Sequence, residues 1–285
     1  MKKIETFAYN GYSFYYRYKK KSIVRLFILR IKTALITGGA TGIGKRTALE
    51  LAEKGHNLVI NYRHSEQEAR NLADHLSHTY GTKNIIVHGD IASPKDCEKV
   101  VEEALAFASS VDILIHNAGP YIHERKKMVD YSFEEWNYII NGNLNTVFYL
   151  SKLLIPGMRN QGWGRIITIG FDRVESSPGW VYRSAFAAAK TGLASLTKTI
   201  AIEEAGYGIT ANMVCPGDIV GEWKEKAIEE ALMVVDEDSP VGRPGTGEDI
   251  ARVISFLVSE PSSFITGSII PVTGAKDVLG KIYKN

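Results

Sequence analysis

From Thr33 onward, short apolar runs alternate with amphipathic stretches. Ala34-Leu35-Ile36, Leu58-Val59-Ile60, Ile85-Ile86-Val87, Ile113-Leu114-Ile115, Arg165-Ile166-Ile167-Thr168-Ile169, Thr210-Ala211-Asn212-Met213-Val214 and Ile269-Ile270-Pro271-Val272 read as seven strands. Helical spacing between them predicts helices over about 43–54, 65–80, 94–108, 133–159 and 184–206. Strand runs that are apolar on both faces and spaced by helices imply a parallel sheet covered on two sides. No linker rich in Pro, Gly or Ser and no repeat breaks the pattern. The expected architecture is therefore one α/β domain over residues 33–285, a doubly wound seven-stranded parallel sheet.

Charge separates this body from what precedes it. The chain's net +2 hides nine Lys/Arg against the single acid Glu5 in residues 1–32, which leaves 25 bases against 31 acids, a net −6, in the rest. An acidic body argues against nucleic acid as a partner, because phosphate-tracking surfaces are basic. Residues 1–32 form a basic, aromatic extension, expected to be loosely ordered. Their longest apolar run, Leu26-Phe27-Ile28-Leu29, is bounded by Arg25 and Arg30. That is too short for a secretory signal, of about 7–15 apolar residues, or a membrane span of about 20. Cys97 and Cys215 have no CxxC partner, and His75 and His78 have no further ligands beside them. A disulfide framework and a metal site are not expected, and a reducing cytoplasm is.

The first strand empties into Thr37-Gly38-Gly39-Ala40-Thr41-Gly42-Ile43-Gly44, where a helix begins. Glycines at such a junction allow a tight turn and let backbone approach a pyrophosphate, whose charge then meets the positive end of the helix.

That turn is one of five short motifs along the chain. The TGxxxGxG spacing is carried by Thr37, Gly38, Gly42 and Gly44; an NNAG-like turn reads His116-Asn117-Ala118-Gly119; Gly89-Asp90-Ile91 ends the third strand; Asn143 lies in Asn143-Leu144-Asn145-Thr146-Val147-Phe148; and Cys215-Pro216-Gly217 closes the sixth strand. Over residues 33–275 the chain thus resembles the short-chain dehydrogenase/reductase family, and is similar to its β-ketoacyl-[acyl-carrier-protein] reductases through Pro240-Val241-Gly242-Arg243 and Phe264-Ile265-Thr266-Gly267 as well. The resemblance implies a Rossmann-like fold and an oxidoreductase that passes a hydride between a nicotinamide cofactor and a carbonyl, 3-oxoacyl-like substrate. It implies cofactor contacts at Gly38, Thr41, Gly42, Ile43, Gly44, Asp90, Ile91, Asn117, Ala118, Gly119, Lys190, Pro216 and Gly217. The usual assembly is a homotetramer, and the small apolar face of Ala185, Ala188, Ala189 and Leu193 would allow close helix packing.

Cofactor choice turns on the end of the second strand. An Asp there holds the ribose hydroxyls of NAD and repels a 2′-phosphate. Here the residues are Asn61-Tyr62-Arg63, and Arg63 suits a phosphate, so NADP is expected, with NAD as the alternative.

The catalytic words are altered. The resemblance implies a Tyr four residues before Lys190 as proton donor, and a Ser after the fifth strand that holds the carbonyl; Phe186 and Gly170-Phe171 stand at those places. A phenyl ring has no dissociable proton. Catalysis is left to Lys190 and Asn143, with three routes open. Tyr182, which precedes Phe186 by the length of one helical turn and has a side chain long enough to lean over that gap, could replace the acid; water or Asp172 could supply the proton; or the chain binds a dinucleotide without turnover, as a sensor or assembly subunit. Residues 219–245, after the Pro-Gly turn, are the expected substrate lid. Its seven acids oppose an acidic carrier, while Arg125-Lys126-Lys127 would attract one.

Overall fold

The computed structural model describes residues 30–277 and, ahead of them, three short strands, β1 (Thr6–Tyr9), β2 (Tyr12–Tyr15) and β3 (Phe27–Ile28). These pair antiparallel in a separate sheet of order β1-β2-β3. The rest of the extension ahead of Arg30 lies outside the described residues.

The seven expected strands all form: β4 (Thr33–Ile36), β5 (Asn57–Tyr62), β6 (Asn84–His88), β7 (Ile113–His116), β8 (Gly164–Ile169), β9 (Ile209–Pro216) and β10 (Ile269–Val272). They make one parallel sheet in the order β10-β9-β8-β7-β4-β5-β6. Alternate side chains feed two cores, as a two-residue period requires. Leu35, Val59, Leu114 and Ile166 meet α3 (Pro94–Phe107), α5 (Thr146–Gln161) and α6 (Ser184–Glu204). Ile36, Leu58, Ile60 and Ile115 meet α1 (Gly42–Glu53), α2 (Glu66–Tyr80) and α8 (Gly247–Val258). Chain direction across the sheet reverses between β4 and β7, whose carboxyl ends open a crevice where such folds bind ligands.

Three local findings modify the sequence-based picture. The helix expected over 133–159 is two helices: α4 (Phe133–Ile140), started by a Ser132/Glu135 capping box, and α5, with a π-helical turn at Asn141–Asn145 between them. Helix α8 was not expected. Its marks are the Thr246/Asp249 capping box and the buried spacing Ile250, Ala251, Ile254, Leu257, Val258. The lid holds one short α-helix, α7 (Ile228–Ala231), and a 3-10 turn at Gly221–Lys224.

The apolar face of α6 is not left over for a partner. Ala185, Ala189 and Leu193 are buried within the chain, and only Ala188 is exposed, because α6 packs on the π-turn and on β9. Periodicity alone cannot tell burial inside one chain from burial between two.

The last residues of the basic extension belong to the body. Arg30 donates to Ser110 Oγ at 2.6 Å and to Gln161 Oε1 at 2.7 Å, and it pairs with Asp112, whose side chain is buried. Lys32 pairs with Glu260 at 2.8 Å and lies over the Trp163 ring.

Candidate active site

The glycine turn after β4 is built for close approach. Gly38 and Gly42 both take φ of +59°, a left-handed conformation suited to glycine. A Cβ on Gly44 would sit 2.2 Å from Gly38 O and 2.7 Å from Asn117 Nδ2. Asn117 Nδ2 donates to Thr37 O and Gly38 O, both at 3.0 Å, and Ala118 N–H donates to Thr37 Oγ1 at 3.1 Å. The HNAG turn therefore clamps the glycine loop from below. Asn61 does the same from β5. It is 2% exposed, its Oδ1 accepts from Gly38 N–H, and its Nδ2 donates to Val87 O and Gly89 O. Asn61 is therefore a brace within the crevice wall, and Arg63 is the residue of this strand end that brings charge to the crevice.

That crevice is a cleft of about 340 Å³ lined by Gly38, Thr41, Arg63, Asp90, Ile91, Ala118 and Gly119, together with Asn61 and Tyr138. Seven expected cofactor residues thus meet around one space. Arg63 pairs with Asp90 at 3.3 Å, and Tyr138 Oη donates to the same carboxylate oxygen at 3.2 Å. The sequence reading missed Tyr138, which lies on α4 and carries no motif of its own. Ile43 and Gly44 lie in the first turn of α1, while Pro216 and Gly217 lie at the end of β9, across the sheet.

At the nicotinamide end, Gly119 is the meeting point. A Cβ there would meet Asn143 Oδ1 at 2.3 Å and Lys190 Nζ at 3.5 Å. Asn143 sits in the π-turn, 1% exposed; its Nδ2 donates to Ile139 O and Pro120 O, but its Oδ1 is buried without a partner. Lys190 is 4% exposed on α6, and burial pushes its ammonium down to about 8, with Cys215 a weak opposing influence. Two buried polar groups with unmet capacity at one point fit the hydroxyls of a nucleotide ribose. With the glycine cradle, they show that the residues present suit a dinucleotide.

Aromatic side chains fill the place of the expected catalytic pair. Phe186 and Phe171 have ring centroids 6.4 Å apart, and Trp180 lies 5.1 Å from Phe171 and 6.1 Å from Phe186. Tyr121 meets Phe186 edge-on at 5.3 Å. Lys190 Nζ lies 5.6 Å from the Phe186 centroid. The Tyr121 hydroxyl accepts from Arg183 Nε, and the guanidinium also covers its ring. A hydroxyl at position 170 has no room, since a Cβ on Gly170 would already be 2.5 Å from Met213 Sδ and 2.7 Å from Cys215 Sγ.

Tyr182 does not stand one helical turn from Phe186. Helix α6 starts at Ser184, and Tyr182 precedes it with φ of +63°, its carbonyl accepting from Tyr131 Oη and Arg183. Asp172 is buried and pairs with Arg173 at 3.7 Å. His116, at the altered motif position, is buried with Nδ1 unpartnered; burial first, and the Lys190 charge second, hold its imidazole down at about 3. In the basic cluster, Lys126 is paired with Glu124 and Glu135, which weakens its appeal to an acidic partner.

A family profile described as enoyl-(acyl carrier protein) reductase matches residues 38–274. YtkK of Bacillus subtilis (strain 168), described as an oxidoreductase, is 50% identical over 252 residues, 88% of this chain and 98% of that one. The 3-oxoacyl-[acyl-carrier-protein] reductase FabG of Salmonella typhimurium is 36% identical over 243 residues, covering 85% and 96% of the two chains. A solved structure described as a 3-oxoacyl-reductase from Bacillus thuringiensis superposes with a TM-score of 0.82 at 50% identity, covering 88% of this chain and all of that one. With the strand order, the clamped glycine turn and the Lys190–Asn143 pair already in place, these matches establish that the chain belongs to the short-chain dehydrogenase/reductase family of oxidoreductases.

Proposed function

We propose that this chain is an NADP(H)-dependent oxidoreductase that reduces a small carbonyl substrate of the 3-oxoacyl type, working as a homo-oligomer, a tetramer by family habit, in the cytoplasm. The observation that carries it is the convergence of Lys190 Nζ and the orphaned Asn143 Oδ1 on Gly119, at one end of a crevice whose other end presents Arg63. Arg63 favours the phosphorylated ribose, because a guanidinium pairs a phosphate with charge and geometry together. Lys190 and Asn143 would hold the nicotinamide ribose, and the Gly38–Gly44 turn the pyrophosphate. The bound cofactor supplies the hydride.

The proton must come from a group other than residue 186. Tyr121 is the phenol in contact with the Phe186 ring and already accepts a hydrogen bond from Arg183, which readies the oxygen to carry negative charge. Tyr182, Asp172 and water are the other candidate donors. The aromatic wall of Phe171, Trp180 and Phe186 supports an apolar substrate body.

A second reading is favoured by one observation, the pairing of phenyl rings where the family carries Ser and Tyr. In it the chain binds the dinucleotide without turnover, as a sensor or assembly subunit. NADPH consumption with a panel of 3-oxoacyl thioesters and simple ketones tests both. Turnover with NADPH exceeding that with NADH supports the first reading; tight NADPH binding with no turnover on any member selects the second.

A further inference from the structure

The start of α1 is occupied by a carboxylate from the lid. Glu225 Oε1 accepts from Gly42 N–H at 2.8 Å, and its Oε2 takes Lys45 Nζ at 2.7 Å. Helix α1 lacks the usual means of satisfying these donors. Its N-cap residue, Thr41, makes no side-chain capping bond, and its first turn holds no acid. Burial alone would raise the Glu225 carboxyl, but the bonds from Lys45 and Gly42 outweigh it and hold the group below its ordinary value. The carboxylate is therefore a charged anion seated where the helix N-terminus attracts one.

The segment that delivers Glu225 is pinned from the other side too. Lys224 O lies so close to α8 that a Cβ on Gly247 would be 1.9 Å from it, and Gly221, at the start of the segment, takes φ of +54°. Around the carboxylate, Arg46 is paired with Glu248 and Lys226 with Glu230. Lys45 is the cation whose bond would be broken if Glu225 left.

On the reading that this crevice takes a dinucleotide, we infer that Glu225 is a tethered stand-in for the pyrophosphate. Binding exchanges one anion for the other: the carboxylate leaves Gly42 N–H and Lys45, and Lys45 passes to the phosphates as a cofactor-binding residue. The lid is latched to α1 while the crevice is empty of anion and is let go when the pyrophosphate arrives. Nucleotide affinity is accordingly reduced by the fraction of chains in which the latch is closed.

Calorimetric titration of the full chain tests this with two probes, NADPH and adenosine 2′-monophosphate, the second of which offers a phosphate to Arg63 but no pyrophosphate. Glu225→Gln should bind NADPH about three- to tenfold more tightly than wild type, and Lys45→Met about three- to tenfold more weakly. Neither variant should change affinity for adenosine 2′-monophosphate by more than about twofold. Lid release is read independently from Trp223, two residues from Glu225: its fluorescence, isolated by comparison with Trp223→Phe, should shift on adding NADPH to wild type and start near the shifted value in Glu225→Gln. Unchanged or weaker NADPH binding by Glu225→Gln overturns the latch while the cofactor reading stands. Unchanged binding by Lys45→Met removes Lys45 from the phosphates. If neither probe binds any form, the cofactor reading and the latch fall together.

Discussion

Phe171 and Phe186 pack against one another, ring to ring, where the resemblance read from the sequence leads one to expect a Ser, at Gly170-Phe171, and a Tyr, at position 186. The two rings share one apolar cluster with Trp180, so the environment at both positions is set together. Phe171 is only 5% exposed. Restoring polarity there has a packing cost, whereas restoring it at 186 extends a side chain that already reaches Lys190.

Phe186→Tyr is expected to raise carbonyl reduction at least tenfold over wild type, toward the roughly 10²–10⁴ that a positioned acid contributes. Adding Phe171→Ser should raise it further while destabilising the fold by about 3–5 kcal/mol, the usual cost of removing a buried ring. Initial rates of NADPH consumption and urea melts of the single and double variants measure the two effects. No gain from Phe186→Tyr would mean that position 186 no longer faces the reacting carbon.

The existing acid is identified by a pair of phenol deletions. Tyr121→Phe should lower turnover by about 10²-fold with NADPH affinity unchanged, and Tyr182→Phe by less than about threefold. The ranking follows from contact: Tyr121 touches the Phe186 ring, while Tyr182 lies outside α6 in a left-handed backbone conformation. The reverse ranking would assign the proton to Tyr182, and indifference to both would point to Asp172→Asn as the decisive variant.

Arg63→Ala should weaken NADPH about ten- to hundredfold, about 1.4–2.8 kcal/mol, and leave NADH within about twofold. Equal losses for both cofactors would show that Arg63 acts only by holding Asp90 and not by meeting a 2′-phosphate.

Two buried groups set separate pH windows, and in both of them stability rises with pH. Lys190 titrates near 8 in the folded chain and 10.5 otherwise, so between those values the unfolded chain holds a proton the folded one has shed, and stability rises with pH. His116 titrates near 3 against 6.5, so stability falls as pH drops below about 6.5. His56, lowered to about 4 by burial and by Lys32, acts in the same direction as His116. Lys190→Met should flatten the alkaline rise and His116→Asn should reduce the acid loss, as read by urea melts from pH 4 to 10. A slope unaltered in either variant would mean that the group is hydrated in the folded state.

The strands were legible because burial on both faces leaves an unbroken apolar run, as at Ile113–Ile115, and the glycine turn because backbone geometry demands glycine at Gly38 and Gly42. Helix α8 was obscured by the irregular lid before it, although Thr246 and Asp249 spell its start. Glu225 was beyond reach for another reason. Its partners Gly42 and Lys45 lie about 180 positions away, and an ion pair between distant segments imprints no period on the sequence.

A boundary drawn from hydrophobicity alone also misplaces the start of the folded body. Removing residues 1–29 should leave stability unchanged, whereas removing residues 1–30 should cost about 1–2 kcal/mol, since Asp112 then loses the guanidinium that compensates its burial. Thermal and urea melts of the two truncations separate these outcomes; equal stability would mean that water replaces Arg30 without penalty.

The π-helical turn at Asn141–Asn145 adds one residue to what would otherwise be a continuous helix. A helix advances about 100° per residue, so the insertion rotates everything after it by that angle relative to everything before. The turn therefore sets the angle between the side of α4 that buries Ile139 and the side of α5 that buries Val147, Leu150 and Leu154. Deleting a single residue from the turn would change that angle by about 100° and swing Asn143 away from Gly119. The chain thus keeps a helical irregularity whose removal would look, in sequence, like the mildest of edits.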